Sequence, residues 1–172
     1  MIPSPHVRRS SPEEVAYHEA GHVVVGHVLG LDLVDVDVLA DREGGHGHTN
    51  FRAPEWFNRD GDLDERRRGF VEAVITTFLA GTAAEARHAG FENPDASGFD
   101  YDAVAREWAR YLGPSSDTDN RLAALRAGAE RLVEDPANWS AIERLARTLM
   151  QRRQIGASEA LSSAGLAPPA AG

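Results

Sequence analysis

The apolar positions of residues 12–29 wind almost all the way round a helix: Val15, Tyr17, Val23, Val24, Val25, Val28 and Leu29. A helix that is apolar on nearly every side belongs in a core. Its start is marked by Ser11 as N-cap, Pro12 at the first helical position and Glu14 three residues past the cap, a capping box. Glu13 and Glu14 also suit the positive end of the helix dipole, and Gly30 closes the helix. Val34, Asp35, Val36, Asp37 and Val38 then alternate with period two, which predicts a half-buried strand, read as an edge strand with its acids on a solvated face. Residues 48–52 predict a second strand beyond a glycine-rich connection. Residues 54–64 read as a mobile polar loop anchored only by Trp56 and Phe57.

Helical spacing returns over residues 65–88, where Phe70, Val71, Val74, Ile75, Phe78 and Leu79 recur three and four apart. Its later part, from Leu79 to Ala86, is built of small residues that let another helix approach closely, and the first helix is the expected neighbour. Further helices are predicted over residues 100–112, ended by Gly113 and Pro114, and over residues 119–133. Another is predicted over residues 140–154, opening on the capping box Ser140-Ala141-Ile142-Glu143, with a short helical piece near residues 158–162. The organisation expected is a loose arm over residues 1–10, one domain over residues 11–163 and a disordered Ala/Pro/Gly tail over residues 164–172. No internal repeat is present.

The chemistry lies in the first helix. His18-Glu19-Ala20-Gly21-His22 is an H-E-x-x-H pattern. Two histidines four apart lie about 40° apart around a helix axis, so both imidazoles reach one metal ion from one face. Glu19 follows the first ligand directly and is placed to take a proton from a water that the metal activates. Burying two histidines and a glutamate costs on the order of several kcal/mol, and a bound metal gives that burial a reason. The competing reading is a core helix whose histidines only hydrogen-bond to backbone.

Composition narrows the alternatives. The 172 residues suit one domain with a real core. No cysteine is present, so disulfides, thiol nucleophiles and thiolate zinc sites are excluded, and any metal takes nitrogen and oxygen ligands. No lysine is present either, which excludes Schiff-base chemistry and a Walker phosphate loop. A net charge of -9 argues against nucleic acid as a partner. The longest apolar run, residues 23–40, is interrupted by His27, Asp32, Asp35 and Asp37 and is too polar to span a bilayer. Without a signal-peptide pattern, a cytoplasmic protein with no membrane contact is expected.

A catalytic zinc needs three protein ligands and an open position. The extended pattern H-E-x-x-H-x-x-G-x-x-H would need Gly at position 25 and His at 28, and both are Val. His27 lies about 140° round the helix from His22. Glu43, His46 and His48 belong to a glycine-rich segment that does not preorganise a ligand. Asp100 and Asp102, at the start of a predicted helix, are the remaining acids in a suitable place; either one is also a plausible helix cap.

The stretch VAYHEAGHVVVG (residues 15–26) resembles the peptidase motif of the FtsH-type ATP-dependent zinc metalloproteases, V-A-x-H-E-A-G-H-A. Residues 78–85 are similar to that family's L-x-G-x-A-A-E-E segment, and residues 97–102 to its T-G-A-x-N-D, whose last aspartate is a zinc ligand. Residues 129–149 resemble its two closing helices, so the likeness runs in order through most of residues 12–162. It implies a mainly α domain with a small antiparallel β-sheet, of zincin-like H-E-x-x-H type. It also implies Zn2+ held by His18, His22 and Asp102, with Glu19 as base. Past Asp102 the helix pattern is out of step with the family by one residue, which keeps Asp100 as the alternative third ligand.

The family's peptidase domain normally follows a transmembrane segment and an ATPase module, and neither is found in these 172 residues. A peptidase domain standing alone is therefore expected, acting on flexible peptide or unfolded protein, or on substrates delivered by a separate ATPase. Substrate would pair with the strand at His48, Thr49 and Asn50. Two other classes stay open: a catalytically silent peptidase-like zinc-binding adaptor, and a zinc hydrolase of small amides. The oligomeric state is left open.

Overall fold

Thirteen residues behave as one buried rod: every side chain from Glu14 to Gly26 is buried, as the all-round apolar pattern requires. They belong to helix α1 (Pro12–Val28) of a computed structural model that describes residues 10–39, 47–58, 60–92, 101–112 and 117–168, the side chains of 101–103 excepted. The other elements are β1 (Asp32–Asp37), β2 (His48–Arg52), α2 (Glu65–Ala89), α3 (Tyr101–Ala109) with a 3-10 turn at Arg110–Leu112, α4 (Thr118–Glu134), α5 (Pro136–Arg152), β3 (Gln154–Gly156) and α6 (Ala157–Ala164). The fold is mostly helical with a small antiparallel sheet. Among the described residues no helix is long and apolar enough to cross a membrane.

The ends of α1 form as the sequence requires. The Glu14 N–H donates to Ser11 Oγ at 3.2 Å, and the Ser11 N–H donates to Glu14 Oε2 at 2.6 Å, which closes the capping box. At the other end Gly30 takes φ +81°, Gly30 N–H reaches His27 O at 3.0 Å and Leu31 N–H reaches Gly26 O at 2.9 Å, a Schellman closure.

Helix α1 packs against α2, α5 and the sheet. The approach to α2 is close because small residues meet there: a Cβ placed on Gly21 would fall 2.7 Å from Ala84 Cβ and 2.8 Å from the Ala80 carbonyl oxygen. Helix α2 is capped by Asp64, whose carboxylate accepts the Arg67 N–H at 2.7 Å, and ends at Gly90 in the left-handed conformation.

Several expectations are corrected. Strand β1 is central, not an edge, because the sheet order is β2-β1-β3, with Val36 facing both Thr49 and Ile155. Strand β3 has only three residues, too few to carry a period-two signal. The acids of β1 do have polar partners: Asp35 accepts from the Asn50 amide at 2.6 Å, and Asp32 pairs with Arg52 at 3.2 Å. Helix α5 starts at Pro136, not at Ser140. Asp135 accepts the Ala137 and Asn138 N–H groups, and Ser140 lies inside the helix beside Arg144. The expected tail begins too early. Ala164 is the fully buried last residue of α6, its carbonyl accepts from Arg144, and Leu166 packs on the core. The segment after β2, by contrast, is held through the two aromatic residues expected to anchor it: Phe57 meets Phe70 at 4.6 Å and Trp108 at 6.1 Å, and Arg66 sits 4.1 Å over Trp56.

Two glycine substitutions test this packing. Alanine is the better helix former by roughly 1 kcal/mol. At exposed Gly69, where an added Cβ meets nothing within 4 Å, Gly69→Ala should raise the melting temperature. At Gly21 the clash is with backbone and a Cβ, so Gly21→Ala should instead destabilise by roughly 1–3 kcal/mol. Thermal unfolding checks the opposite signs; a rise for both would deny the close α1–α2 contact.

Candidate metal centre

His18 and His22 project from successive turns of α1, with ring centroids 4.7 Å apart and planes crossed at 84°. They are 4% and 6% exposed, so neither ring relies on bulk water for its polar partners. Each Nδ1 is held by α2. His18 Nδ1 lies 2.9 Å from Glu85 Oε2, and His22 Nδ1 lies 2.7 Å from the Thr77 carbonyl oxygen. A carbonyl and a carboxylate accept hydrogen bonds, so both rings carry their proton on Nδ1 and present Nε2 as the lone-pair atom. This is the arrangement that orients histidine ligands and raises their basicity. Glu85 is itself fixed, since Ser10 Oγ donates to its other oxygen.

The two Nε2 atoms converge. A Cβ built on Gly81 would fall 2.5 Å from His22 Nε2 and 2.8 Å from His18 Nε2, so both nitrogens face one small space that only a glycine leaves clear. Among the described residues, His18, Glu19 and His22 form a cluster of metal-capable groups, their ligand atoms within 4.8 Å of one another. Two imidazoles with Nδ1 engaged by α2 and a nearby carboxyl group, with no thiolate in the chain, fit a zinc-type cation held by nitrogen and oxygen.

Glu19 is 2% exposed. Burial pushes its carboxyl up to about 7, against the lowering influence of His18 and of a hydrogen bond from Thr49. Burial, reinforced by His18, lowers His22 to about 3, so its ring is neutral and ready to ligate across the physiological range.

Of the other residues singled out from sequence, Thr49 turns inward and donates to Glu19 Oε2 at 2.6 Å. His48 and Asn50 point to the exposed face, His48 3.7 Å from Asp37 and Asn50 bonded to Asp35. Asp102 stands in the first turn of α3, with its side chain outside the described residues; Asp100, Glu43 and His46 also lie outside them. Sequence reading missed Glu85. Its signal was present: an acid among the small residues of a helix face expected to be buried. The Thr77 carbonyl had no such signal, because any residue supplies one.

No family-level sequence profile matches the chain. Individual proteins do. It is 33% identical over 193 residues to the ATP-dependent zinc metalloprotease FtsH 1 of Symbiobacterium thermophilum, covering 96% of this chain and 31% of that protein. It is 40% identical over 72 residues to the ATP-dependent zinc metalloprotease FtsH of Mycoplasma genitalium, covering 41% of this chain and 10% of that protein. With FtsH of Metamycoplasma arthritidis it shares 35% over 119 residues, 62% of this chain and 15% of that one. These similarities support an FtsH-related family. The chain spans less than a third of the length of each of these relatives.

Two outcomes follow from the geometry. Glu85→Ala should weaken zinc binding roughly 10- to 100-fold, and Gly81→Ala should abolish it by filling the space between the rings; chelator competition measures both, and unchanged affinity in either would detach α2 from the site. For the metal-free protein the signs are opposed. Glu19, raised from 4.5 to about 7, stabilises the fold below 4.5 and loses that contribution as pH rises through 7. His22, lowered from 6.5 to about 3, contributes above 6.5 and loses it as pH falls through 3. Glu19→Gln should therefore gain stability over wild type between pH 5 and pH 8, by up to about 3 kcal/mol. Urea unfolding in chelator tests this, and a difference that shrinks with pH would refute it.

Proposed function

We propose that this chain is a zinc-dependent metallopeptidase domain that hydrolyses peptide bonds in flexible or unfolded polypeptide. The observation that carries the reading is the pair of buried imidazoles with Nδ1 pinned by α2 and Nε2 turned to a common space beside Glu19. The names of the similar proteins agree with it. His18 and His22 hold the ion, and Asp102 is the proposed third ligand, with Asp100 as alternative. Helix α3, which carries Asp102, packs on α2 near these rings: the Phe78 ring centroid is 6.4 Å from that of His22 and 6.4 Å from that of Trp108.

A zinc ion bound there supplies Lewis acidity for the scissile carbonyl and lowers the pKa of water towards about 7. Glu19 takes the water's proton and passes it to the departing amine, a transfer suited to a carboxyl whose pKa lies near neutrality. Strand β2 is at the edge of the sheet, so an extended substrate can add to it by main-chain hydrogen bonds next to Glu19. In this reading an ATPase, where one takes part, serves to deliver unfolded chain.

Purified protein should carry about one zinc per chain, lost in His22→Ala, and should digest casein in a manner lost in Glu19→Gln. Zinc in both proteins with casein intact in each would favour a binding module, and turnover confined to small amides would favour an amide hydrolase. Asp102→Asn should weaken zinc more than Asp100→Asn; the reverse order would move the third ligand to Asp100.

A further inference from the structure

We infer that Thr49 is a positioning residue that holds the Glu19 carboxylate in place for proton transfer, a role that rests on the peptidase reading above. Glutamate has three side-chain torsions, and a base that must meet a water at one point gains from losing that freedom before substrate arrives. Thr49 Oγ1 lies 2.6 Å from Glu19 Oε2, to which its single hydroxyl proton is donated, and 3.4 Å from the Glu19 carbonyl oxygen, so the hydroxyl is seated against the residue whose carboxylate it holds.

The grip is set by the sheet. Thr49 faces Val36 across the β1–β2 ladder, and Val36 is fully buried, so the register turns Thr49 inward while His48 and Asn50 face out. The other carboxylate oxygen is bounded differently. A Cβ on Gly47 would fall 3.2 Å from Glu19 Oε1, 3.0 Å from Glu19 Cγ and 2.5 Å from the Asp37 carbonyl oxygen. Gly47 has φ +72°, a conformation glycine adopts without strain. The strand thus enters past Glu19 with a bare Cα beside one oxygen and ties the other two residues later. With its hydroxyl engaged in this way, Thr49 serves the base, and β2 offers substrate its main chain.

Thr49→Val keeps the shape and removes the hydroxyl; Thr49→Ser keeps the hydroxyl and removes the methyl. With zinc-loaded protein and fluorescein-labelled casein, Thr49→Val should lower kcat roughly 10- to 100-fold with KM within about twofold, while Thr49→Ser recovers most of the loss. Zinc content should match wild type in both. A second readout needs no turnover: in chelator, the urea midpoints of Thr49→Val, Glu19→Gln and the double variant should be non-additive. Wild-type kcat in Thr49→Val, equal losses in the Val and Ser variants, or a rise in KM alone would overturn the role. Should wild type leave casein intact, the peptidase reading and the catalytic role fall together. The cycle then decides the contact itself, additivity showing that Thr49 and Glu19 are not coupled.

Discussion

The close passage of α2 over α1 is the constraint on which the site depends. Gly21 on one helix and Ala80, Gly81 and Ala84 on the other let the backbones approach until an added Cβ would clash. At that separation the Thr77 carbonyl and the Glu85 carboxylate reach the two Nδ1 atoms, and the bare Cα of Gly81 lies against the two Nε2 atoms. A side chain larger than glycine at position 81 would occupy the space the nitrogens share. The small-residue stretch of α2 therefore does two things: it packs the core, and it leaves room for chemistry.

The second helix also resolves an electrostatic problem. Two imidazoles and a carboxyl sit inside a core, where unpaired polar groups cost more than folding leaves to spare. Each is given a directed partner: Glu85 for His18, a main-chain carbonyl for His22, Thr49 for Glu19. Those partners come from α2 and β2, far from α1 in sequence. The result is a neutral His22 ring beside a carboxyl whose proton is held near neutral pH, a state in which proton transfer in either direction is cheap.

The sheet is small, yet its register matters. Strand β1 sits between β2 and the three-residue β3, so Val36 is buried and the Thr49 opposite it must face inward towards α1. A one-residue slip would turn His48 or Asn50 towards Glu19 instead. Burial of one valine thus fixes which polar group meets the carboxyl.

How much of this was legible beforehand follows from the range of each signal. Helix α1, its capping box and its glycine ending are written in neighbouring residues, because caps, dihedral preferences and helical periodicity act within a turn or two. The pairing of His18 with His22 was legible for the same reason, as was the small-residue face of α2. Contacts that join distant segments were not. Strand β3 pairs with β1 from more than a hundred residues away, Asp135 caps α5 ahead of a decoy box at Ser140, and Ala164 is buried where composition suggested a tail. Glu85 and Thr77 become partners of the histidines only when two helices are laid side by side, and a carbonyl oxygen leaves no mark on the residue that bears it. Local pattern determined which groups the chain carries; tertiary packing alone decided which of them meet, because hydrogen bonds and excluded volume act over a few ångströms of space, whatever their distance along the chain.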